Sequence, residues 1–170
     1  MISLPQDHEY NAFYAGYVNA VKEKDVLVAL KKQLKEIPDL LWTISKDKHD
    51  YAYAPGKWTI TQVLQHINDV ERVFTYRALA FSRGDKQQQP GMDQDIYMDA
   101  VDLTEVSFSS MIDEFVSLRV ATICLFERMN DRQLEQVGTA SGNPITVRAL
   151  ATITAGHSQH HVNILKERYL

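Results

Sequence analysis

The sequence predicts an all-α protein, a four-helix bundle with a long crossover between its second and third helices. Four long segments repeat apolar residues at three- and four-residue steps, and the alternating β-branched pattern of strands is scarce. One long polar connection separates the second and third segments. With 170 residues, of which 45% are hydrophobic and 24% charged, the chain suits a single domain over residues 1–170.

The chain begins with an aromatic-rich stretch, "MISLPQDHEYNAFYAGYVNA", which we expect to pack as an extended or partly helical arm. The first long helix is predicted over residues 24–44. Pro38 falls late in this segment and is expected to bend or break the helix. Its apolar positions are Val26, Leu27, Leu30, Leu34, Ile37 and Leu41.

The second helix is predicted to begin within "PGKWTITQ" and to run to about Ser82. Thr59 and Gln62 have the spacing of a capping box, in which each side chain bonds a free backbone N–H of the first turn. Trp58 and Val63 have the spacing of a hydrophobic staple across the same turn. The predicted inner stripe is Val63, Ile67, Val70 and Phe74.

Residues 83–102 form the polar crossover, which is unusually long for a compact domain and is interpreted as a mobile surface loop or a flap. A third helix is predicted over residues 104–130, and a fourth over residues 146–169 after the turn segment "GTASGNP". The predicted face of the third helix is Phe108, Met111, Phe115, Leu118, Thr122, Leu125 and Met129.

Composition and charge exclude several classes of function. The net charge is −4 and the basic residues are dispersed, so we expect no nucleic-acid partner. No apolar run approaches the roughly 18 residues of a membrane span, and the N-terminus has no basic and apolar regions typical of a secretory signal. The single cysteine, Cys124, allows no internal disulfide, which favours a reducing cytoplasm. We interpret Cys124 as a small buried hydrophobe.

The segment "AGHSQHHVNIL" in the fourth helix contains three of the six histidines. At about 100° per residue, His157 and His161 lie in the middle of the apolar stripe, and His160 lies at its edge. Two buried imidazoles need polar partners. Either each is satisfied by its own hydrogen bond, or one divalent ion binds both across the helical turn.

A third histidine favours the ion. His66 lies in the middle of the second helix, and three imidazoles can occupy three positions of a metal ion and leave the others open. Asp69 lies three residues after His66 on the same side. It is a candidate fourth ligand, a candidate acceptor for a histidine N–H or a candidate catalytic base; the alternative is a surface carboxylate paired with Arg72.

Other charged residues carry less information. Glu71, Arg77, Arg83 and Asp85 are interpreted as a solvated charged stretch. Arg119, within an otherwise apolar helix, is interpreted as an ion-paired or snorkelling residue rather than a substrate clamp. His8 and His49 match no pattern and are expected at the surface.

Two segments, "GKWTITQVLQHINDVERVFTYRALAFSRGD" and "TVRALATITAGHSQHHVNILKERYL", resemble the DinB-like superfamily of metal-binding four-helix bundles, which includes the YfiT-type proteins. The resemblance covers the tryptophan before the second helix, the histidine within it and the H-x-x-x-H of the last helix. It implies that His66, His157 and His161 bind a divalent metal and that His160 does not. It also implies a homodimer, which the aromatic rings of the N-terminal arm favour as a partner surface.

The activities that this resemblance implies are thiol-dependent S-transfer, thiol-dependent isomerisation and hydrolysis. A divalent ion held by three histidines can lower the pKa of a small thiol or of water that binds at its open position. Asp69 would orient a ligand or transfer a proton. We expect zinc or nickel, with manganese and iron as alternatives, because imidazole suits all four. The competing hypothesis is a binding or stress-response module in which the ion is structural.

Overall fold

The computed structural model describes residues 1–170 and is mostly helical. Its four long helices are α2 (Val26–Leu41), α3 (Ile60–Ser82), α5 (Phe108–Glu127) and α7 (Val147–Arg168). Three shorter helices are α1 (Ala15–Ala20), α4 (Gln94–Ala100) and α6 (Asp131–Leu134). Strands β1 (Val137–Ala140) and β2 (Asn143–Thr146) form a hairpin, and 3-10 turns cover Asp7–Glu9, Ala12–Tyr14 and Lys46–Lys48.

The four long helices form the predicted bundle, so the fold class is confirmed. Helix α7 packs against α3, α2 and α1, while α5 packs against α3 and α2. None of the helices combines the length and the apolar character needed to span a membrane.

The core consists of two apolar clusters with buried polar side chains between them. The first includes Leu30, Phe74, Phe126 and Leu150, and the second includes Ile37, Leu64, Phe115 and Leu165. Each long helix has a buried polar residue where it passes from one cluster to the other, namely Gln33, Asn68, Arg119 and His157, and His66 lies two residues before Asn68. This polar layer contains the candidate functional site.

Helix α3 begins as its sequence predicts. The Thr59 hydroxyl accepts a hydrogen bond from the Gln62 N–H at 3.2 Å, and the Gln62 side chain accepts one from the Thr59 N–H at 2.9 Å. Trp58 packs against the second cluster, which contains Val63. The cap therefore determines the first residue of the helix that carries His66.

Two details of the long helices differ from the predictions. Helix α2 is not broken at Pro38 and continues to Leu41, since the proline removes one backbone N–H donor and only the last turn follows it. The buried face of α5 is rotated from the predicted one, since Leu118 and Leu125 are only half-buried. Arg119 occupies the inner face instead, with no exposed surface, and its charge had excluded it from the predicted stripe.

The crossover and the following turn contain structure that the sequence did not predict. Residues 83–102 include helix α4, and "GTASGNP" forms the β1–β2 hairpin with Ser141 and Gly142 at φ 51° and 76°, as in a type I′ turn. Gln89 binds this hairpin through two backbone bonds, to Thr139 at 2.8 Å and from Ser141 at 3.1 Å. The crossover is therefore anchored at its middle.

The N-terminal arm is partly helical, as expected, and packs on α7 through α1. The contact requires a glycine at position 156, because a Cβ there would lie 1.9 Å from the carbonyl oxygen of Tyr17. Tyr14 and Tyr17 pack against the first cluster, whereas Phe13 remains 75% exposed. The bundle thus covers part of the aromatic surface on which the dimer prediction rests.

Candidate metal centre

Helices α3 and α7 bring the three predicted histidines together. The Nε2 atom of His157 lies 3.0 Å from that of His66 and 3.1 Å from that of His161. The candidate ligand atoms of the three rings all lie within 4.8 Å of one another. His66 and His157 are 3% and 4% exposed, and His161 is half-buried.

Burial keeps these imidazoles neutral. Loss of hydration lowers the pKa of His66 to about 4. Loss of hydration, with smaller contributions from His66 and His160, lowers the pKa of His161 to about 3. The pKa of His157 lies well below its ordinary value, first because of burial and then because of the neighbouring histidines. Each ring therefore has one unprotonated nitrogen near pH 7, which is the form that binds metals.

The three rings cannot satisfy one another by hydrogen bonding. A neutral imidazole has one N–H and one lone pair, and the Nε2 of His157 faces both other rings. Whichever tautomer it adopts, only one of the two short contacts can be a good hydrogen bond. A divalent cation accepts lone pairs from all three nitrogens, so this donor set fits a metal ion.

Aromatic side chains surround the histidines. The ring centroid of Trp58 lies 4.9 Å from that of His66, while Tyr17 and Phe74 lie 5.3 Å and 6.0 Å from His157. These rings come from the start of α3, from α1 and from α3 one turn beyond Val70. They pack against the His66 and His157 imidazoles.

His160 lies outside the cluster, as its position on the helix predicts. Its ring packs at 5.2 Å from Tyr17 and 5.1 Å from His161, and its nitrogens are not among the convergent ligand atoms. The prediction that it is not a ligand agrees with this placement.

Asp69 does not join the cluster of ligand atoms. Its Oδ1 accepts a hydrogen bond from Gln65 Nε2 at 2.9 Å and lies 3.6 Å from Arg72 Nη1. Partial burial, the largest influence, raises the pKa of its carboxyl group. The contact with Arg72 is the predicted surface pair, and the catalytic role of Asp69 stays a prediction.

Three other residues lie away from the cluster. His8 is exposed, as expected. His49 is half-buried and not at the surface: its ring stacks on Phe108 at 3.9 Å and its Nε2 lies 3.3 Å from the Ile44 carbonyl oxygen. Cys124 is exposed, so its interpretation as a buried hydrophobe was wrong. At about 100° per residue, Cys124 lies on the side of α5 opposite Phe115 and Thr122, so helical periodicity could have indicated its exposure.

Sequence reasoning missed a buried ion pair in the same polar layer. Arg119 donates from Nε and Nη2 to the two carboxylate oxygens of Glu71 at 2.8 and 2.9 Å. Further bonds connect Arg119 to Gln33 at 2.6 Å and to Ser158 at 2.9 Å, the latter next to His157. The interpretation of Glu71 and Arg77 as solvated was wrong, since both are buried, and that of Arg119 as ion-paired is confirmed. Glu71 shares the helical face of Ile67 and Phe74, and this periodicity could have revealed its burial.

Comparisons with known proteins agree with the fold. The sequence profile of the DinB superfamily matches residues 29–165. A solved structure, YfiT from Bacillus subtilis, described as a probable metal-dependent hydrolase with an unusual four-helix bundle topology, superposes with a TM-score of 0.65. The two sequences are 19% identical, and the alignment covers 96% of this chain and 89% of YfiT. No curated protein sequence matches significantly.

Proposed function

Because this chain belongs to the DinB superfamily, we propose that it is a metal-dependent enzyme that binds one divalent ion through His66, His157 and His161. The observation that supports this most directly is the convergence of three neutral imidazole nitrogens that cannot satisfy one another. Zinc and nickel are the metals we propose first, with manganese and iron as alternatives.

The proposed chemistry is activation of a small thiol for transfer to an electrophile. His66, His157 and His161 would hold a divalent ion as neutral ligands, and the ion would supply the positive charge that lowers the pKa of a bound thiol or water. An ordinary thiol has a pKa of about 8.5 and water about 15.7, so a thiol needs the smaller shift. This chemistry requires no nucleophile from the protein, in line with the position of Cys124 on the outside of α5.

Hydrolysis is the second candidate. The description of YfiT as a probable metal-dependent hydrolase favours it, and the same three histidines would serve it. The two activities differ in the co-substrate that the site must admit, a thiol or water.

The protein's own residues would bind, orient and move protons. Trp58, Phe74 and Tyr17 would hold the imidazoles in place and exclude bulk water. We assign proton transfer to Asp69 through Oδ2, since Gln65 and Arg72 engage its other oxygen. Asp69→Asn should then lower turnover by about 10²-fold or more while leaving metal content unchanged, as activity assays and elemental analysis can test.

The decisive experiment is a panel of thiols with electrophiles, and of activated esters and amides, tested on metal-loaded protein. His161→Ala removes one proposed ligand, and His160→Ala is the matched control one residue away. We expect at least one reaction that His160→Ala retains and His161→Ala loses. Equal rates for the wild type and His161→Ala across the panel would contradict the proposal and favour the binding-module alternative.

We also propose a homodimer that forms through the N-terminal arm in the cytoplasm. Phe13, at 75% exposure, would lie in the interface and bury its ring against the partner. Light scattering at micromolar concentration should give the mass of two chains, and Phe13→Ser should shift it toward one. A monomeric wild type would contradict this proposal.

A further inference from the structure

Arg77 on α3 is a buried cation without an anionic partner. The residue is 3% exposed, and its guanidinium makes one hydrogen bond, from Nη2 to the Pro90 carbonyl oxygen at 2.6 Å. No carboxylate pairs with it; the other fully buried arginine, Arg119, by contrast binds both oxygens of Glu71. A buried charge is ordinarily paired, because its loss of hydration is otherwise uncompensated.

The surroundings of Arg77 compensate its charge only weakly. Its guanidinium carbon lies 5.8 Å from the centroid of the Phe74 ring, a cation–π contact. Burial is the largest influence and lowers the pKa of Arg77, while the Tyr14 hydroxyl, which the guanidinium also approaches, and the Tyr97 hydroxyl raise it. Neutral phenols do not neutralise the positive charge of the guanidinium, so Arg77 remains available to bind an anion.

A cavity of about 270 Å³ adjoins this guanidinium, between α3 and the crossover. Apolar and aromatic side chains line much of it, including Val73, Tyr76, Met92 and Tyr97. The second cation at its wall, Arg72, already pairs with Glu114 and with Asp69. The cavity therefore offers one uncompensated positive charge beside apolar walls.

We propose that this cavity binds a small organic carboxylate, with the carboxylate on Arg77 and an apolar or aromatic body against Tyr76 and Tyr97. The planar guanidinium matches a carboxylate in a paired, two-bond arrangement. Arg77 is the only cation at the cavity without a carboxylate partner, so its charge balances a monoanion rather than a dianion. The crossover completes the site through Pro90, Met92 and Tyr97.

This site is separate from the histidine cluster. Phe74 lies between them, 5.8 Å from the Arg77 guanidinium carbon and 6.0 Å from the His157 ring. Carboxylate binding therefore requires no metal, and its test does not depend on the proposed enzymatic activity.

The test uses benzoate as the probe and benzamide as its neutral counterpart, titrated into the 170-residue chain without added metal and followed by NMR. We expect benzoate to bind at least about tenfold more tightly than benzamide, the effect of one charge-assisted contact. Arg77→Met should lose at least about tenfold in benzoate affinity. Arg83→Met, at the exposed end of the same helix, is the matched control and should bind benzoate as the wild type does.

Two outcomes would overturn the proposal even if Arg77→Met fails to fold. One is equal binding of benzoate and benzamide by the wild type. The other is an Arg77 Nε–H resonance, assigned with Arg77→Lys, that does not shift on benzoate addition. Tighter binding of inorganic phosphate than of benzoate would overturn the choice of a carboxylate as the ligand.

Discussion

The polar layer of this bundle contains two clusters, one around Arg119 and the other formed by His66, His157 and His161. Both lie between the same two apolar clusters, and both connect α3 with α7. In the first, a cation meets a carboxylate, an amide oxygen and a hydroxyl, all within 2.9 Å. In the second, three like groups face one another at 3.0 and 3.1 Å.

This difference separates a structural role from a ligand-binding role. Arg119 and Glu71 have complementary charges and satisfy each other, so that cluster is complete with protein atoms alone. Neutral imidazoles have the same donor and acceptor groups, and no arrangement of their protons makes both short contacts favourable. Only the second cluster needs a further component, and this is the physical basis for proposing a metal there.

The largest effect on stability is expected from a substitution that breaks the Arg119 cluster. Arg119→Met leaves the Glu71 carboxylate buried without its cation and should lower the free energy of unfolding by about 3–5 kcal/mol. Urea denaturation followed by circular dichroism measures it.

Two variants sharpen this result. The double variant Arg119→Met with Glu71→Leu removes both charges and should lower the free energy of unfolding less than Arg119→Met alone. Arg72→Met breaks partly exposed ion pairs with Glu114 and Asp69 and should lower the free energy of unfolding by less than about 1 kcal/mol. If Arg119→Met costs no more than Arg72→Met, the Arg119 cluster is not a structural element.

Substitutions in the histidine cluster should destabilise the fold less than Arg119→Met does, but they should weaken metal binding strongly. His66→Ala, His157→Ala and His161→Ala should each weaken metal binding by at least about 100-fold, or about 2.7 kcal/mol, since each removes one of three ligands. Elemental analysis and metal titration report this change. His160→Ala should keep about one ion per chain, and full metal content in the three other variants would refute the site.

The smallest effect is expected when the metal is removed from the intact protein. The two apolar clusters and the Arg119 cluster do not involve the ion, so treatment with a chelator should leave the helical content nearly unchanged. Circular dichroism before and after chelation checks this expectation. A cooperative loss of helicity on chelation would assign the ion a structural role and contradict the catalytic proposal.

Local interactions explain why much of the site could be predicted from sequence. The Thr59–Gln62 cap and the inward positions of His66, His157 and His161 depend on residues within one or two turns of the same helix. Helical periodicity also placed His160 at the edge. The bundle and its histidine faces were therefore predictable before any helix was packed against another.

Contacts between distant segments decided the rest. The ion pair of Arg119 with Glu71 depends on how α5 is rotated against α3. The close approach of His66 to His157 depends on the packing of α3 on α7, 91 residues apart. The anchoring of the crossover on the hairpin and the cavity at Arg77 likewise require segments far apart in sequence. The sequence by itself determined which histidines α3 and α7 turn inward, whereas tertiary packing determined the inner face of α5 and which buried residues meet, because charge compensation and metal binding depend on distances between helices.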